Sequence, residues 1–481
     1  MDDDRTIPAH DRRESPTPPP GLPGSPPPRN SGGRWRGVAA RLTRPEIEPA
    51  ALQSYRHEQR TQAVLPIVTA LMEGGFIGVI ADKVYHVHPG VLALITAAPM
   101  FGLLSSVVWA QLALGRRKVP FITSLMLLFV VAAAAVAMLP EGAIGGWLLV
   151  TCMIVARLLL GGIVTIRSLV WTFNYPREAR ARVTSRLQFL TISAMTATSL
   201  AGGVFLDAHP ESFRSVYGVG AVLASLGVLS FSRVRIIDEP AQLARERMAP
   251  KEPGTFAAPL LSAWKVLRED LIYARYQACQ FLIGVSNMMI EAPLIYLISH
   301  QLQASYTTSI ALTLAIPLGF SLLTLPLWAA YLDRVHISEF RARHSWVWVL
   351  AQAVTWFGAI RGSLVWIGVG RLLLGMGRSG GALAWQLGHN DFARPDNVGL
   401  YMGVHVTLTG VRGAFAPFLG MLLYLGWASA DWPALGLRLP GFEGLGGHLI
   451  GLACLIGTFG TLGYWRLHRQ VSRQIGSDFK S

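Results

Sequence analysis

Arg157-Leu158-Leu159-Leu160-Gly161 recurs letter for letter as Arg371-Leu372-Leu373-Leu374-Gly375, and a tryptophan follows fourteen residues after each arginine, Trp171 and then Trp385. The offset is 214 in both cases (371 − 157 and 385 − 171). Both copies lie in apolar runs and the offset is close to half of the 481 residues, which predicts one membrane unit used twice. Functional residues are then expected where the two copies meet.

Composition agrees: hydrophobic residues make up 52% of the chain, charged residues 15%, and the mean hydropathy is +0.40. A soluble chain carries roughly a quarter charged residues. Runs such as Val91 to Leu114, Val119 to Leu139 and Trp147 to Trp171 are long enough to cross about 30 Å of hydrocarbon as helices. Continued along the chain, the pattern gives about twelve spans: 63–84, 90–114, 119–139, 147–171, 187–206 and 213–234, then 272–299, 306–332, 344–361, 363–387, 399–426 and 446–466. The fold class expected is an all-α polytopic membrane protein of two pseudo-symmetric six-helix bundles.

Cations cluster in alternate connections: Arg116-Arg117-Lys118, then Arg177, Arg180, Arg182 and Arg186, then Arg233 through Lys265, then Arg334, Arg341 and Arg343. The other connections hold isolated cations such as Lys83, Arg214, Arg361 and Arg438. By the positive-inside rule this predicts an inner-membrane protein with both termini cytoplasmic. It also accounts for the formal charge of +14 as orientation, and no nucleic-acid partner is expected. Cys152, Cys279 and Cys454 fall inside apolar spans, where they act as small hydrophobes. Neither a disulfide framework nor a metal spacing is present, and no cofactor is expected.

Residues 1–60 read as a cytoplasmic, proline-rich disordered tail with a short pre-helix, marked by Pro18-Pro19-Pro20 and Pro26-Pro27-Pro28. No cleavable signal peptide is expected. The six-helix bundles are assigned to 61–235 and 271–467, a cytoplasmic linker with Pro253-Gly254 to 236–270, and a cytoplasmic tail to 468–481.

Two six-helix halves joined by a long central loop resemble the major facilitator superfamily over about residues 61–467. Gly115-Arg116-Arg117-Lys118 matches the end of that family's signature between its second and third helices, with Leu112 and Ala113 where an acid and its neighbour are usual. The second half keeps the other part, Asp333-Arg334, and has His336-Ile337-Ser338 in place of the glycine and its basic residues. Arg157 and Gly161 match the fourth-helix signature, with Leu160 for the usual glutamine. Gly202-Gly203 keep only the end of the fifth-helix signature of proton-coupled drug antiporters, since Thr198-Ser199 replace its Gly-Pro. The resemblance implies alternating access around a cavity lined by the first, fourth, seventh and tenth helices.

A charge at membrane depth is costly unless it faces a cavity or a partner. Glu73, Arg157, Asn287, Glu291 and Arg371 lie in those four spans, and Arg412 lies within the eleventh, so these six are the expected substrate or ion-coupling residues. Glu73, followed by Gly74-Gly75, is a candidate protonatable acid; a permanent ion pair with an arginine is the alternative. Gly115, Arg116, Arg117, Asp333, Arg334, Asn390 and Asp391 form the expected cytoplasmic gate, with Asp391 either capping a helix or pairing with Arg378 or Arg394. Arg167 and Arg378 are expected to snorkel or to pair with Asp391. Deep cations outnumber deep acids, which suggests an anionic or zwitterionic substrate.

The function expected is secondary transport of a small solute, coupled to protons, by a monomer in a lipid bilayer. A transport-inactive receptor, assembly factor or pigment- or lipid-handling protein is the alternative. An enzyme is not expected, because no catalytic triad or phosphate loop is present.

Overall fold

The computed structural model describes residues 47–248, 258–393, 397–432 and 437–478. The expectation for the proline-rich segment 1–46 lies outside these residues. Six helical spans form the N-terminal half: α1 (Pro49–Lys83), α2 (Pro89–Ala113), α3 (Lys118–Val136), α4 (Ala143–Asn174), α5 (Arg177–Ala208) and α6 (Phe213–Phe231). Six more form the C-terminal half: α7 (Leu271–Gln301), α8 (Tyr306–Leu332), α9 (Ile337–Ile360), α10 (Leu364–Leu387), α11 (Val398–Leu425) and α12 (His448–Asp478). Ten of the twelve are long and apolar enough to cross a membrane. α9 and α10 have 24 residues each, ample length at about 1.5 Å per residue, and carry more polar positions.

Several helices outlast their apolar runs. α1 begins at Pro49, well before the apolar span, because Ser54, His57, Glu58, Thr61 and Gln62 are buried by α6, α5 and α4. α12 continues through Asp478, past the expected end of the bundle. The linker contains two helices, Glu239–Met248 and Ala258–Glu269. Between α11 and α12, strands Ala430–Trp432 and Leu437–Leu439 pair antiparallel, with Asp431 opposite Arg438. This hairpin is an addition to the all-α expectation.

Side chains that face outward are apolar: Val219, Val222 and Leu226 of α6 are 60%, 68% and 56% exposed. A soluble protein would not leave such a row in water; it is the lipid-facing surface of an integral membrane protein.

Each half is a bundle in which α4 packs on α2 and α3, and α10 on α8 and α9. Packing between the halves runs along α2 with α11 and α5 with α8. Twelve passes put both ends of the described chain on one side, the terminal end, and the 83–89 and 301–306 connections on the other, the opposite end.

Candidate functional site: two matched ion pairs at helix breaks

The repeated Arg-Leu-Leu-Leu-Gly places arginine and glycine on one helix face, since residues four apart are neighbours. Gly161 of α4 lies directly on the backbone of Gly102 in α2, and a Cβ on either would overlap the other chain segment. Its counterpart Gly375 of α10 sits on α8, where an added Cβ would lie 2.7 Å from the Pro317 carbonyl. The glycine brings two helices together, and the arginine one turn earlier is thereby held deep between them.

Both arginines meet a glutamate at a break in the first helix of their half. α1 is interrupted at Met72-Glu73, where Glu73 is extended (φ −81°, ψ 140°) before Gly74. Arg157 Nη2 donates to the Met72 carbonyl at 2.6 Å and to Glu73 Oε2 at 2.7 Å. α7 is interrupted at Met289-Ile290, just before Glu291. Arg371 Nη1 and Nη2 donate to the two oxygens of Glu291 at 3.3 and 3.2 Å. The arginines are buried, whereas the Glu73 and Glu291 side chains keep 22% and 34% exposure, so the acids face outward from each pair.

A single residue joins the pairs. Residues Ala311–Ala315 of α8 form a π-helical turn, and its extra residue frees carbonyls. Arg371 takes two of them, Leu312 O at 2.8 Å and Thr313 O at 3.1 Å. The Thr313 hydroxyl donates to Gly75 O at 2.8 Å, across to the N-terminal half.

Further contacts between the halves gather at the same, opposite end. Asp82 accepts from Ser299 at 2.6 Å and lies 3.4 Å from His300 Nδ1. Asp207 accepts from the backbone N–H of Tyr306 and Thr307 at 2.6 and 3.1 Å, capping α8 from α5. Sequence reasoning assigns no role to Asp82, Asp207 or Thr313; Asp82 and Asp207 sit at the ends of apolar spans.

At the terminal end, among the described residues, the contacts of the basic turn and of Asp391 stay within one half or reach its linker helix. Gly115 has a positive φ of +67°, a turn glycine allows, and its N–H donates to Glu246 Oε2 at 2.8 Å. Lys118, 3% exposed, donates to the same oxygen, and Arg117 pairs with Glu239 at 3.1 Å. Arg116 lies over the Phe121 ring at 5.6 Å. Asp391 accepts from Ile337 N at 2.8 Å, so it caps α9 rather than pairing with Arg378 or Arg167; the other expected partner, Arg394, lies outside the described residues. Arg167 instead stacks on Trp171 at 4.9 Å. Asp333 and Arg334 are exposed, and Asn390 lies in the turn beyond α10, its N–H on the Leu387 carbonyl. The expected gate residues thus occupy one end of the molecule, with the linker as the main partner of the basic turn.

Asn287 is one turn before Glu291 and accepts from Gln352 Nε2 of α9 at 2.8 Å. Arg412 departs from its expected place. It is 4% exposed, turned against Gly284 of α7 inside the C-terminal half, because Gly410 and Gly413 on its helix face α2.

Two repeated six-helix bundles meeting at paired charges on broken helices define a polytopic membrane transporter fold. The chain belongs to the Major Facilitator Superfamily, whose profile matches residues 63–417. No curated protein matches it in sequence. Solved structures that resemble it include a point mutant of the nucleoside transporter NupG, with 10% identity, 87% of this chain and 99% of that one covered, and a TM-score of 0.64. The POT family transporter PepTSo has 12% identity, 88% and 98% coverage and a TM-score of 0.63. A D-xylose-proton symporter has 12% identity, 86% and 97% coverage and a TM-score of 0.60. At these identities the likeness is one of fold. The family is one of secondary transporters, so the protein is a transporter and not an enzyme.

Proposed function

We propose that the protein moves a small solute by alternating access, with Glu73 as the acid that couples transport to protons. The observation that carries this reading is the matched pair of Glu–Arg contacts, each at a helix break beside the line where the halves meet. Helix breaks at membrane depth are tolerated only where they line a cavity or are buried in protein, and in transporters they mark binding sites. Asp82, Asp207 and Thr313 tie the halves together at the opposite end, while α4 and α10 are each held within their own half, which supports reading the state as open at the terminal end. With the positive-inside orientation in an inner membrane, that end is cytoplasmic and the state is inward-facing.

Charge alone does not favour an anionic substrate. Arg157 and Arg371 are already paired, and Arg412 is turned into the C-terminal bundle, so the passage has no surplus of cations from these three residues. The class of solute is decided by uptake and counterflow in proteoliposomes against nucleosides, sugars, peptides and organic acids, with and without an imposed pH gradient. Saturable, gradient-driven uptake of one class is the expected result; no uptake of any of them overturns the reading in favour of a transport-inactive protein.

A further inference from the structure

At the terminal end, the N-terminal half builds its core around a carboxylate. Glu58 is fully buried and accepts hydrogen bonds from the Trp171 indole and, at 2.8 Å, from the Tyr175 hydroxyl; Arg167 is close enough to act on its charge. Glu58 lies fifteen residues before Glu73, at the break in α1 (73 − 58). Fifteen residues before Glu291, at the matching break in α7, stands Tyr276 (291 − 15). The C-terminal half therefore lacks the acid at the corresponding place.

It does not lack the cations. Arg341 of α9 and Arg412 of α11 are 2% and 4% exposed, and Arg341 is close enough to act on the charge of Arg412. Among the described residues neither forms an ion pair. Arg412 donates to the Gln280 carbonyl and, at 3.3 Å, to Thr409 Oγ1, which leaves its Nε without an acceptor. Arg341 Nε and Nη2 have no acceptor either. The groups that face Arg341 are the tyrosines Tyr276 and Tyr464, the latter with its ring 6.0 Å from the guanidinium. Tyr464 Oη is committed to Gln280 Oε1 at 2.7 Å, while the Tyr276 hydroxyl, on a residue 1% exposed, faces the Arg341 guanidinium and has no acceptor for its proton. The nearby Gln277 Oε1 is taken by His405 Nδ1 at 3.2 Å.

Three guanidinium nitrogens and a hydroxyl thus lack acceptors in the same core that holds two positive charges without a carboxylate. Buried polar groups are ordinarily satisfied, and an uncompensated charge is among the most costly things a bundle can enclose. The absent partner has the chemistry of an anion. The packing around it is tight: a Cβ on Gly284 would overlap the Arg412 guanidinium, and one on Gly388 would overlap the Tyr276 hydroxyl. Packing this close favours a monatomic ion over a larger oxyanion.

We propose that Arg341, Arg412 and Tyr276 hold a halide, chloride in the cell, which does in the C-terminal half what the Glu58 carboxylate does in the N-terminal half. The site lies within one bundle, away from the two Glu–Arg pairs, so the bound ion is a structural constituent and not cargo.

The test uses the full-length protein in detergent, with its thermal unfolding followed as chloride or bromide replaces gluconate at constant ionic strength. Unfolding temperature should rise saturably with chloride and bromide. The rise should vanish in Arg341→Gln. Tyr276→Glu, which supplies the missing acid, should be insensitive to chloride and as stable in gluconate as the unaltered protein is in chloride. Should Arg341→Gln not fold, Tyr276→Phe removes one donor only and should raise the half-saturating chloride concentration about tenfold. Equal unfolding temperatures of the unaltered protein in chloride and gluconate overturn the site. So does a chloride response that persists unchanged in Tyr276→Phe and Tyr276→Glu.

Discussion

The two halves use the same motif with different grips. Arg157 holds Glu73 and the Met72 carbonyl through one nitrogen, Nη2, and its Nε has no partner. Arg371 uses all three nitrogens, two on the carboxylate of Glu291 and two contacts on carbonyls of the π-helical turn in α8. A pair held by one nitrogen can open and close without disturbing a second helix. A pair that also anchors α8 cannot. The comparison supports the proposal that Glu73 is the coupling acid, and it gives Glu291 and Arg371 the firmer grip, beside Thr313, which reaches the other half.

The largest expected effect separates these roles. Arg371→Ala removes four hydrogen bonds and strands Glu291, and should destabilise the protein by roughly 3 kcal/mol or more, read as loss of thermal stability in detergent. Arg157→Ala should cost about half as much, because it breaks two contacts beside an acid that is partly exposed. Equal losses would erase the distinction between the halves. Next, Thr313→Val deletes the bond to Gly75 and should weaken closure of the opposite end by about 1 kcal/mol, close to a fivefold shift in the balance of states. Ser309, fully buried beside this contact, provides the readout. In a background lacking Cys152, Cys279 and Cys454, a cysteine at Ser309 should react faster from the opposite side once Thr313 is Val. An unchanged rate would show that the bond does not help to keep that end shut. The smallest effect is expected for Asp391→Asn, which keeps an acceptor for the α9 cap and should change stability by less than about 1 kcal/mol without altering Ser309 reactivity.

Much of this arrangement is legible in the sequence because lipid imposes a simple rule: long apolar runs span, and charges within them need partners. Arg157, Arg371, Glu73 and Glu291 stand out for that reason, and the 214-residue repeat aligns the two arginines. Glu58 does not stand out, since it precedes the apolar run and reads as part of a polar lead-in; only the offset of 218 between Glu73 and Glu291 (291 − 73), carried back to Glu58 and Tyr276, points to it. Arg341 is hidden in the same way among the basic residues of a connection read as cytoplasmic, although helix α9 buries it. Lys118 is the one residue of the basic turn to be buried, and which of three consecutive cations turns inward depends on Glu246 in the linker, 128 residues away. Arg412 misleads because a mid-span position says how deep a side chain lies and not which way it faces.

The proposed coupling role of Glu73 is tested most directly in proteoliposomes loaded with a transported solute, comparing uphill accumulation under a pH gradient with solute exchange at equal pH. The account predicts that Glu73→Gln loses uphill accumulation and retains exchange, since exchange requires no net change in protonation, whereas Glu291→Gln retains both at reduced rate. Equal uphill accumulation by Glu73→Gln and the unaltered protein would contradict it.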